Sequence, residues 1–359
     1  MGAFHPAYVT MTSGPQPIAY VSSELVHTLT LCPLRVWHDS WVWQGVESPF
    51  SSRRREQSHS ARVGTAIHKC IEIVISKKSS TLEEAWSIAC DQLALSGPDP
   101  KNSPNAYRSF LRLKKKLPSL LELIESRSGG SPEIQEKRMA SKDGLFRGQP
   151  DIVIKKPLAT IIDHKSGSVL VDDQTNSKYV HQLLFYAYLV EESLSLDVND
   201  AWLFSLIDGL IQIDVSAGVR NPFIAKARKL IQSFNDALPE AKSGQPSEEA
   251  CKWCPHTNKC DFFWEDLALR EATDFNTYQM LEGTSIGMPE HAKNNNSALF
   301  IAVDGGTFFG KTTISFVPSE LTKPVMSGSR VRISHLRKNQ KTTSTFSWVS
   351  GKSTLSVLD

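Results

Sequence analysis

The chain has 359 residues, with 40 Lys and Arg against 38 Asp and Glu and a formal net charge of +2. That length suits two domains, since single domains commonly run to roughly 100–200 residues, and the near-balance of charge excludes nucleic-acid binding by overall sign, leaving it to local clusters. No apolar run approaches the roughly 20 residues that span a bilayer, and Met1 to Met11 lacks the regions of a signal peptide, so a soluble, cytoplasmic protein with no membrane partner is expected.

Ser22 or Ser23 is placed to cap a helix through Leu25, Val26 and Leu29, which leads to Cys32-Pro33 and a Trp37, Trp41, Trp43 cluster. A Ser-rich loop carrying Arg53-Arg54-Arg55 precedes a helix over 61–76, where Ile67, Ile71, Val74 and Ile75 keep a helical period and Gly64 and His68 share another line. Helical segments follow over 81–95 and 104–126. In that region Tyr107, Arg108, Arg112 and Lys114-Lys115-Lys116 fall in a basic helical stretch ending near Pro118, and Gly129-Gly130 and Pro132 break the pattern. Both basic runs suit either a solvated face or a phosphate contact. Ile134 to Met139, Leu145 to Ile154 and Thr160 to His164 then read as a strand meander, followed by a helix over 178–194, a strand through Trp202 to Ile207, a strand over Ile211 to Val215 and a helix from Pro222 to Leu238. Strands clustered between helices predict an α/β domain with a central sheet and helices packed on it.

After residue 272 acidic residues and Leu thin out, and Ser, Thr, Gly and β-branched residues take over. Domains over 1–272 and 273–359 are therefore expected. Leu299 to Val303, Thr312 to Val317, Ser329 to His335, Thr345 to Val349 and Thr354 to Leu358 predict short strands enough for a small all-β barrel, with Asn294-Asn295-Asn296 as a loop before them. Gly305 to Thr312 fits the phosphate-binding P-loop letter for letter, but a P-loop must open a helix, and Thr312 to Pro318 is β-branched, alternating and ended by proline. A glycine-rich hairpin is predicted instead, with no nucleotide binding.

The chemistry concentrates around a turn at Lys155-Lys156-Pro157. A hairpin symmetrical about Pro157 sets Asp151 opposite Asp163, with Cβ atoms roughly 5 Å apart. Facing carboxylates repel, and a divalent cation between them removes that penalty; Lys165, two residues on, projects from the same strand face as Asp163. Two acids and a lysine on a rigid sheet suit metal-assisted hydrolysis with Mg²⁺ or Mn²⁺. A second set, Cys251-x2-Cys254-x5-Cys260, can be completed by Cys32, and its spacing alone permits Zn²⁺. Cys70 and Cys90 fall on apolar helices as core residues, and a reducing compartment disfavours disulfides.

In order, Cys32-Pro33, Gly64-Thr65-Ala66-Ile67-His68, Gly148-Gln149-Pro150-Asp151, Asp163-His164-Lys165-Ser166-Gly167, Gln182 with Tyr186, and the three later cysteines resemble the PD-(D/E)XK nuclease superfamily. Within it they are similar to RecB-like exonucleases that carry an iron-sulfur cluster, over roughly residues 20–265. His164 departs from a frequent aromatic and Ser166 from a common Thr. The resemblance implies a restriction-endonuclease-like central mixed sheet flanked by helices, His68 as an additional metal ligand beside Asp151 and Asp163, and a backbone carbonyl near His164 in the same shell. It favours a 4Fe-4S cluster over zinc on Cys32, Cys251, Cys254 and Cys260. Lys165 would orient water or stabilise phosphate charge, and Gln182 and Tyr186, at i, i+4, either face the active site or pack; Glu136 is a candidate further acid.

The resulting expectation is a metal-dependent deoxyribonuclease acting as an exonuclease on single-stranded DNA ends, with a helicase or defence complex as partner. The same site would serve an endonuclease trimming DNA in a CRISPR-like complex, and a non-catalytic DNA-binding scaffold is the other class. The small barrel has an OB-like stretch at Gly328 to Ile333; Arg330, Arg332, Arg337, Lys338 and Lys341 near Phe346 and Trp348 suit single-strand binding or a solvated face over core aromatics.

Overall fold

The computed structural model describes residues 15–40, 59–128, 138–155, 158–238, 243–251, 254–269, 279–291, 294–339, 344–349 and 353–358. Trp41, Trp43, Arg53, Arg54, Arg55, Gly129, Gly130, Pro132, Glu136, the Lys156-Pro157 turn and Lys341 lie outside the described residues. The helices and strands run, in order, α1 Ser23–Leu31, α2 Pro33–Asp39, α3 His59–Ile75, α4 Leu82–Ala94, α5 Ala106–Ser128, β1 Met139–Ala140, β2 Arg147–Gly148, β3 Ile152–Ile154, β4 Ala159–Lys165, β5 Leu170–Val171, β6 Gln174–Thr175, α6 Ser177–Leu194, β7 Val198–Ser205, β8 Gly209–Gln212 and α7 Ala217–Asp236. Then follow α8 Glu248–Cys251, α9 Asp261–Leu269, β9 Gln279–Ser285, β10 Glu290–His291, β11 Asn296–Gly306, β12 Gly310–Pro318, α10 Ser319–Thr322, β13 Arg330–Lys338, β14 Thr345–Ser347 and β15 Thr354–Leu358. Among the described residues no helix is long and apolar enough to cross a membrane. The chain divides into two compact units, one of Ile18–His27 with Gln57–Ser233, the other gathering Thr28–Glu56 and Phe234–Asp359.

In the first unit a mixed sheet has the order β3-β4-β7-β8, with β4 and β7 parallel and the outer pairs antiparallel. A parallel pair needs a crossover, and α6 supplies it. Ile152, Ile154, Ile162 and Phe204 on one sheet face join Val63, Ile67 and Ile71 of α3 and Leu113, Leu117, Leu120 and Ile124 of α5 in one core. Each such side chain contributes roughly 1.5–3 kcal/mol relative to exposure. That packing overrides the expected stop at Pro118: the proline lies inside α5, whose following stripe of Leu120 and Ile124 is buried. Pro222 likewise lies inside α7, which starts five residues earlier than expected, at Ala217. The predicted strand over Leu145 to Ile154 is two strands. Pro150 breaks it, since it offers no N–H to a ladder, so that β2 pairs β1 and β3 pairs β4.

In the second unit the predicted strands all appear, β11 and β12 longer than expected and β14 shorter, and β9 joins them. It pairs with both β11 and β13, which closes the ring β9-β11-β12-β14-β13-β9, parallel only between β12 and β14. Leu281, Ile301, Ile314, Ile333, Leu336 and Phe346 fill the interior. β9 crosses β11 closely at Gly283: a Cβ there would stand 2.2 Å from the Ala302 carbonyl oxygen. The P-loop-like Gly305 to Thr312 is the β11–β12 hairpin, with Val303 paired to Gly310, and it opens no helix.

Candidate active site and cysteine site

Asp151 and Asp163 owe their placement to the β3–β4 register. Ile152 pairs with Ile162, Val153 with Ile161 and Ile154 with Thr160, so the next ladder position sets Asp151 against Asp163. At the strand end the Asp151 carboxylate turns toward the α3 side: Oδ2 accepts the His164 backbone N–H at 2.7 Å, and Oδ1 lies 3.4 Å from His68 Nδ1. The His164 ring joins them, with Nδ1 3.7 Å from Asp151 and its centroid 5.6 Å from that of His68. Donor atoms of His68, Asp151 and His164 all fall within 4.8 Å of one another, a spacing one cation can satisfy. A backbone carbonyl was expected from residue 164; the structure also brings its imidazole, whose buried Nε2 has no hydrogen-bond partner among the described residues.

Asp163 lies outside that trio. It is 1% exposed and its carboxylate is ion-paired with Lys165. Burial pushes its carboxyl up and the charge of Asp151 adds to this, against the pull of Lys165. For Asp151 burial also acts upward, but the His68 hydrogen bond, the two imidazoles and the His164 N–H outweigh it and hold the carboxyl well below the usual range. Burial takes His164 down to about 4, leaving a neutral ring with a lone pair to offer. His68 is raised: burial acts downward, and the hydrogen bond and charge of Asp151 prevail.

On the α6 side, Lys165 Nζ lies 5.3 Å from the Tyr179 ring centroid, and Gln182 Nε2 donates to the Tyr186 hydroxyl at 3.1 Å. Burial and then Asp163 hold the Tyr186 phenol well above its usual range, against hydrogen bonds with Gln182 and Ser23. Ser23 reaches this place because Val21 bridges to Phe146, its N–H donating to Leu145 at 2.7 Å and its carbonyl accepting from Arg147 at 2.8 Å. Ser23, Glu24, Lys165, Lys178, Tyr179 and Gln182 line one cleft. Lys178 and Tyr179 escaped the sequence reading, although they stand one helical turn before Gln182 on α6. Two motif glycines are packing requirements. A Cβ on Gly148 would meet Tyr186 Cε1 and Leu189 Cδ1 at 3.0 Å, and one on Gly64 would meet Ser166 Oγ at 3.2 Å.

The second unit brings Cys32, Cys251, Cys254 and Cys260 to the lining of one pocket. Pro33, suited to the first turn of α2, starts a helix immediately after Cys32. Thr257 Oγ1 donates to the Cys254 carbonyl at 2.8 Å and the Cys251 carbonyl at 3.3 Å, and its own carbonyl accepts Trp264 Nε1 at 3.0 Å, which fixes the Cys251–Cys260 loop. Burial pushes the thiols of Cys251 and Cys254 up to about 11 and about 12. Thiolates there need a compensating positive centre. Cys70 and Cys90 are buried core thiols, as expected.

The barrel arginines are already engaged. Arg330 contacts Glu282 at 2.7 Å and Asp304 at 2.6 Å; Arg332 contacts Glu282 at 2.7 Å and Asp261 at 3.1 Å and lies over the Trp264 ring. Phe346 is a core residue and Trp348 packs against that core, whereas Arg337 and Lys338 are exposed.

Residues 21–261 match the family model of the PD-(D/E)XK nuclease superfamily. No curated protein matches the chain. Among solved structures, a crystal structure of SSO0001 is similar at 13% identity with a TM-score of 0.23, covering 59% of this chain and 95% of that one, a likeness too slight to bear on the fold. The family match spans well over half of the 359 residues and contains both the carboxylate–histidine cluster and the four pocket cysteines, and the chain belongs to the PD-(D/E)XK nuclease superfamily.

Proposed function

We propose that the chain is a metal-dependent deoxyribonuclease that works as an exonuclease on single-stranded DNA ends. The observation that carries this is the meeting of His68, Asp151 and His164 at the end of a hairpin whose other strand offers Asp163 and Lys165. Asp151, His68 and His164 would hold Mg²⁺ or Mn²⁺, with Asp163 as a further carboxylate ligand, and the unpartnered His164 Nε2 and close donor atoms fit such an ion. A divalent cation there supplies a Lewis acid and makes water nucleophilic near neutral pH. Lys165 orients the attacking water or offsets charge on the phosphate, and Asp163 keeps its ammonium in place. Gln182 would present its amide to a phosphate entering the cleft, and the buried Tyr186 hydroxyl, which accepts from that amide, would orient it.

The cysteines fit a 4Fe-4S cluster. All four cysteines line one pocket, and a single tetrahedral zinc is the alternative that four thiolates also permit. The cluster's role is structural, tying the segment after α1 to the one before α9. A nuclease region over 1–272 and an accessory barrel over 273–359 follow the family match, although compactness alone groups the cysteine segments with the barrel. The barrel is OB-like: its ring runs first-second-third-fifth-fourth-first, with a short helix, α10, between third and fourth strands.

A metal-dependent cleavage assay on single-stranded, duplex and closed circular DNA, with Asp163→Ala beside the wild type, tests the reading. Mononucleotides released from free ends, with circles spared and the variant inactive, support it. Cut circles make the enzyme an endonuclease, and unchanged cleavage by the variant refutes the assignment.

A further inference from the structure

The cysteine pocket contains a charged side chain whose hydrogen-bonding capacity its surroundings leave unused. Arg35 stands three residues after Cys32 in the first turn of α2, and its backbone N–H donates to the Cys32 carbonyl at 3.2 Å. Its side chain lines the same pocket as the four cysteines. There Nε is shielded from solvent and has no hydrogen-bond acceptor among the described residues. The Asp39 carboxylate, one turn on, is 3.9 Å from that nitrogen, too far to accept its proton, and accepts instead from His256 Nε2 at 2.7 Å. A shielded N–H of a charged group without an acceptor is costly and uncommon even where, as here, about a quarter of the side chain is exposed (24%), and one kept beside four ligands points to an acceptor that arrives with the ligand.

We propose that Arg35 is the hydrogen-bond donor and counter-charge to the cluster held by Cys32, Cys251, Cys254 and Cys260, and that it sets the reduction potential of that cluster. The inference rests on the 4Fe-4S reading. A four-thiolate cluster of this kind carries net negative charge, and reduction by one electron adds another. A fixed guanidinium and an N–H directed at sulfur stabilise the reduced form more than the oxidised one and raise the potential. The same contact shields the cluster from attack by oxygen. Lysine keeps the charge but loses the fixed planar donor, so it replaces only part of the effect. Glutamine loses the charge altogether.

The test uses the full chain purified without oxygen as wild type, Arg35→Lys and Arg35→Gln. Iron and acid-labile sulfide are measured first, then the midpoint potential by dithionite titration followed by absorbance and paramagnetic resonance. Wild type is expected to hold about four iron per chain, with the midpoint lowest in Arg35→Gln and intermediate in Arg35→Lys. A loaded Arg35→Gln protein with the wild-type midpoint overturns the proposal. If that variant fails to load, Arg35→Lys decides: a lower midpoint supports the proposal, and a wild-type midpoint with wild-type cluster lifetime in air overturns it. Stoichiometric zinc in the wild type overturns the cluster reading and this inference together, whereas iron with an unshifted midpoint overturns this inference alone.

Discussion

Replacing Asp163 by Asn separates what this carboxylate does for chemistry from what it does to the fold. The side chain is 1% exposed, faces Asp151 across the ladder and is ion-paired with Lys165. Its carboxyl is raised, by burial first and by Asp151 second. A carboxyl whose folded-state pKa lies above its unfolded value is disfavoured as an anion by folding, so its contribution to stability falls as pH climbs from the unfolded to the folded pKa and stays lost at neutral pH. Asn removes that cost. It also strands Lys165, but Lys165 opens onto the cleft, where its ammonium keeps water. Without metal, Asp163→Asn should therefore melt within about 1 kcal/mol of wild type. With Mn²⁺ at a hundred times its Kd, wild type should gain about 2.7 kcal/mol, or roughly 5–10 °C for a unit of this size, and the variant should gain almost nothing. Cleavage should fall by roughly a thousandfold or more, since several kcal/mol of charge stabilisation go with the ion. Thermal melts with and without Mn²⁺, run beside the cleavage assay, measure all of this. An equal metal-induced shift in both proteins refutes Asp163 as part of the ion's site, and a metal-free variant that melts far below wild type refutes the view that the anion is a burden to the fold.

Other substitutions test other parts of the site. Gly148→Ala drives a methyl into Tyr186 and Leu189, so it should cost roughly 1–3 kcal/mol and lower activity by moving Tyr186; an unchanged melt contradicts the contact argument. Lys178→Ala, at the open side of the cleft, should weaken binding of single-stranded DNA and flatten the dependence of log affinity on log salt by about 0.7, with kcat unchanged. A salt slope equal to that of wild type places Lys178 away from phosphate. Cys254→Ser should reduce iron from about four per chain to almost none, while Cys90→Ala retains it; iron retained by Cys254→Ser removes that cysteine from the ligand set.

The Asp151–Asp163 hairpin was legible because a short turn leaves few registers. The prediction pairs positions that sum to 314, and Ile152 with Ile162 does so in the structure. What remained hidden depends on contacts distant in sequence. Nothing in Gln279 to Ser285, interrupted by Glu282 and Gly283, reads as a strand, yet two neighbours pair with it and make β9 the closure of the barrel. Pro118 looked like a stop because local rules cannot weigh the core that captures Leu120 and Ile124. Arg330 and Arg332 looked available to phosphate because their carboxylate partners, Glu282, Asp304 and Asp261, come from other elements. The cysteine set needed only proximity, which three nearby residues supply almost by themselves, so only Cys32 had to be brought from afar.

A symmetrical pair of acids in the sequence becomes an asymmetrical pair in space, and that asymmetry bears most directly on mechanism. Both aspartates sit at the same level of one hairpin. Asp151 turns to the α3 side, where two imidazoles and a backbone N–H favour its anion; Asp163 remains in the sheet with Lys165 as its ion-pair partner. Environments that push two carboxyls in opposite directions assign them different tasks. The surroundings of Asp151 favour its anion, which would suit the first hold on an incoming cation. Asp163 carries a charge that its surroundings oppose, so an ion held beside Asp151, as proposed, would offset the repulsion between the two carboxylates. Ion binding at this hairpin, as proposed, should therefore be cooperative with ionisation of Asp163.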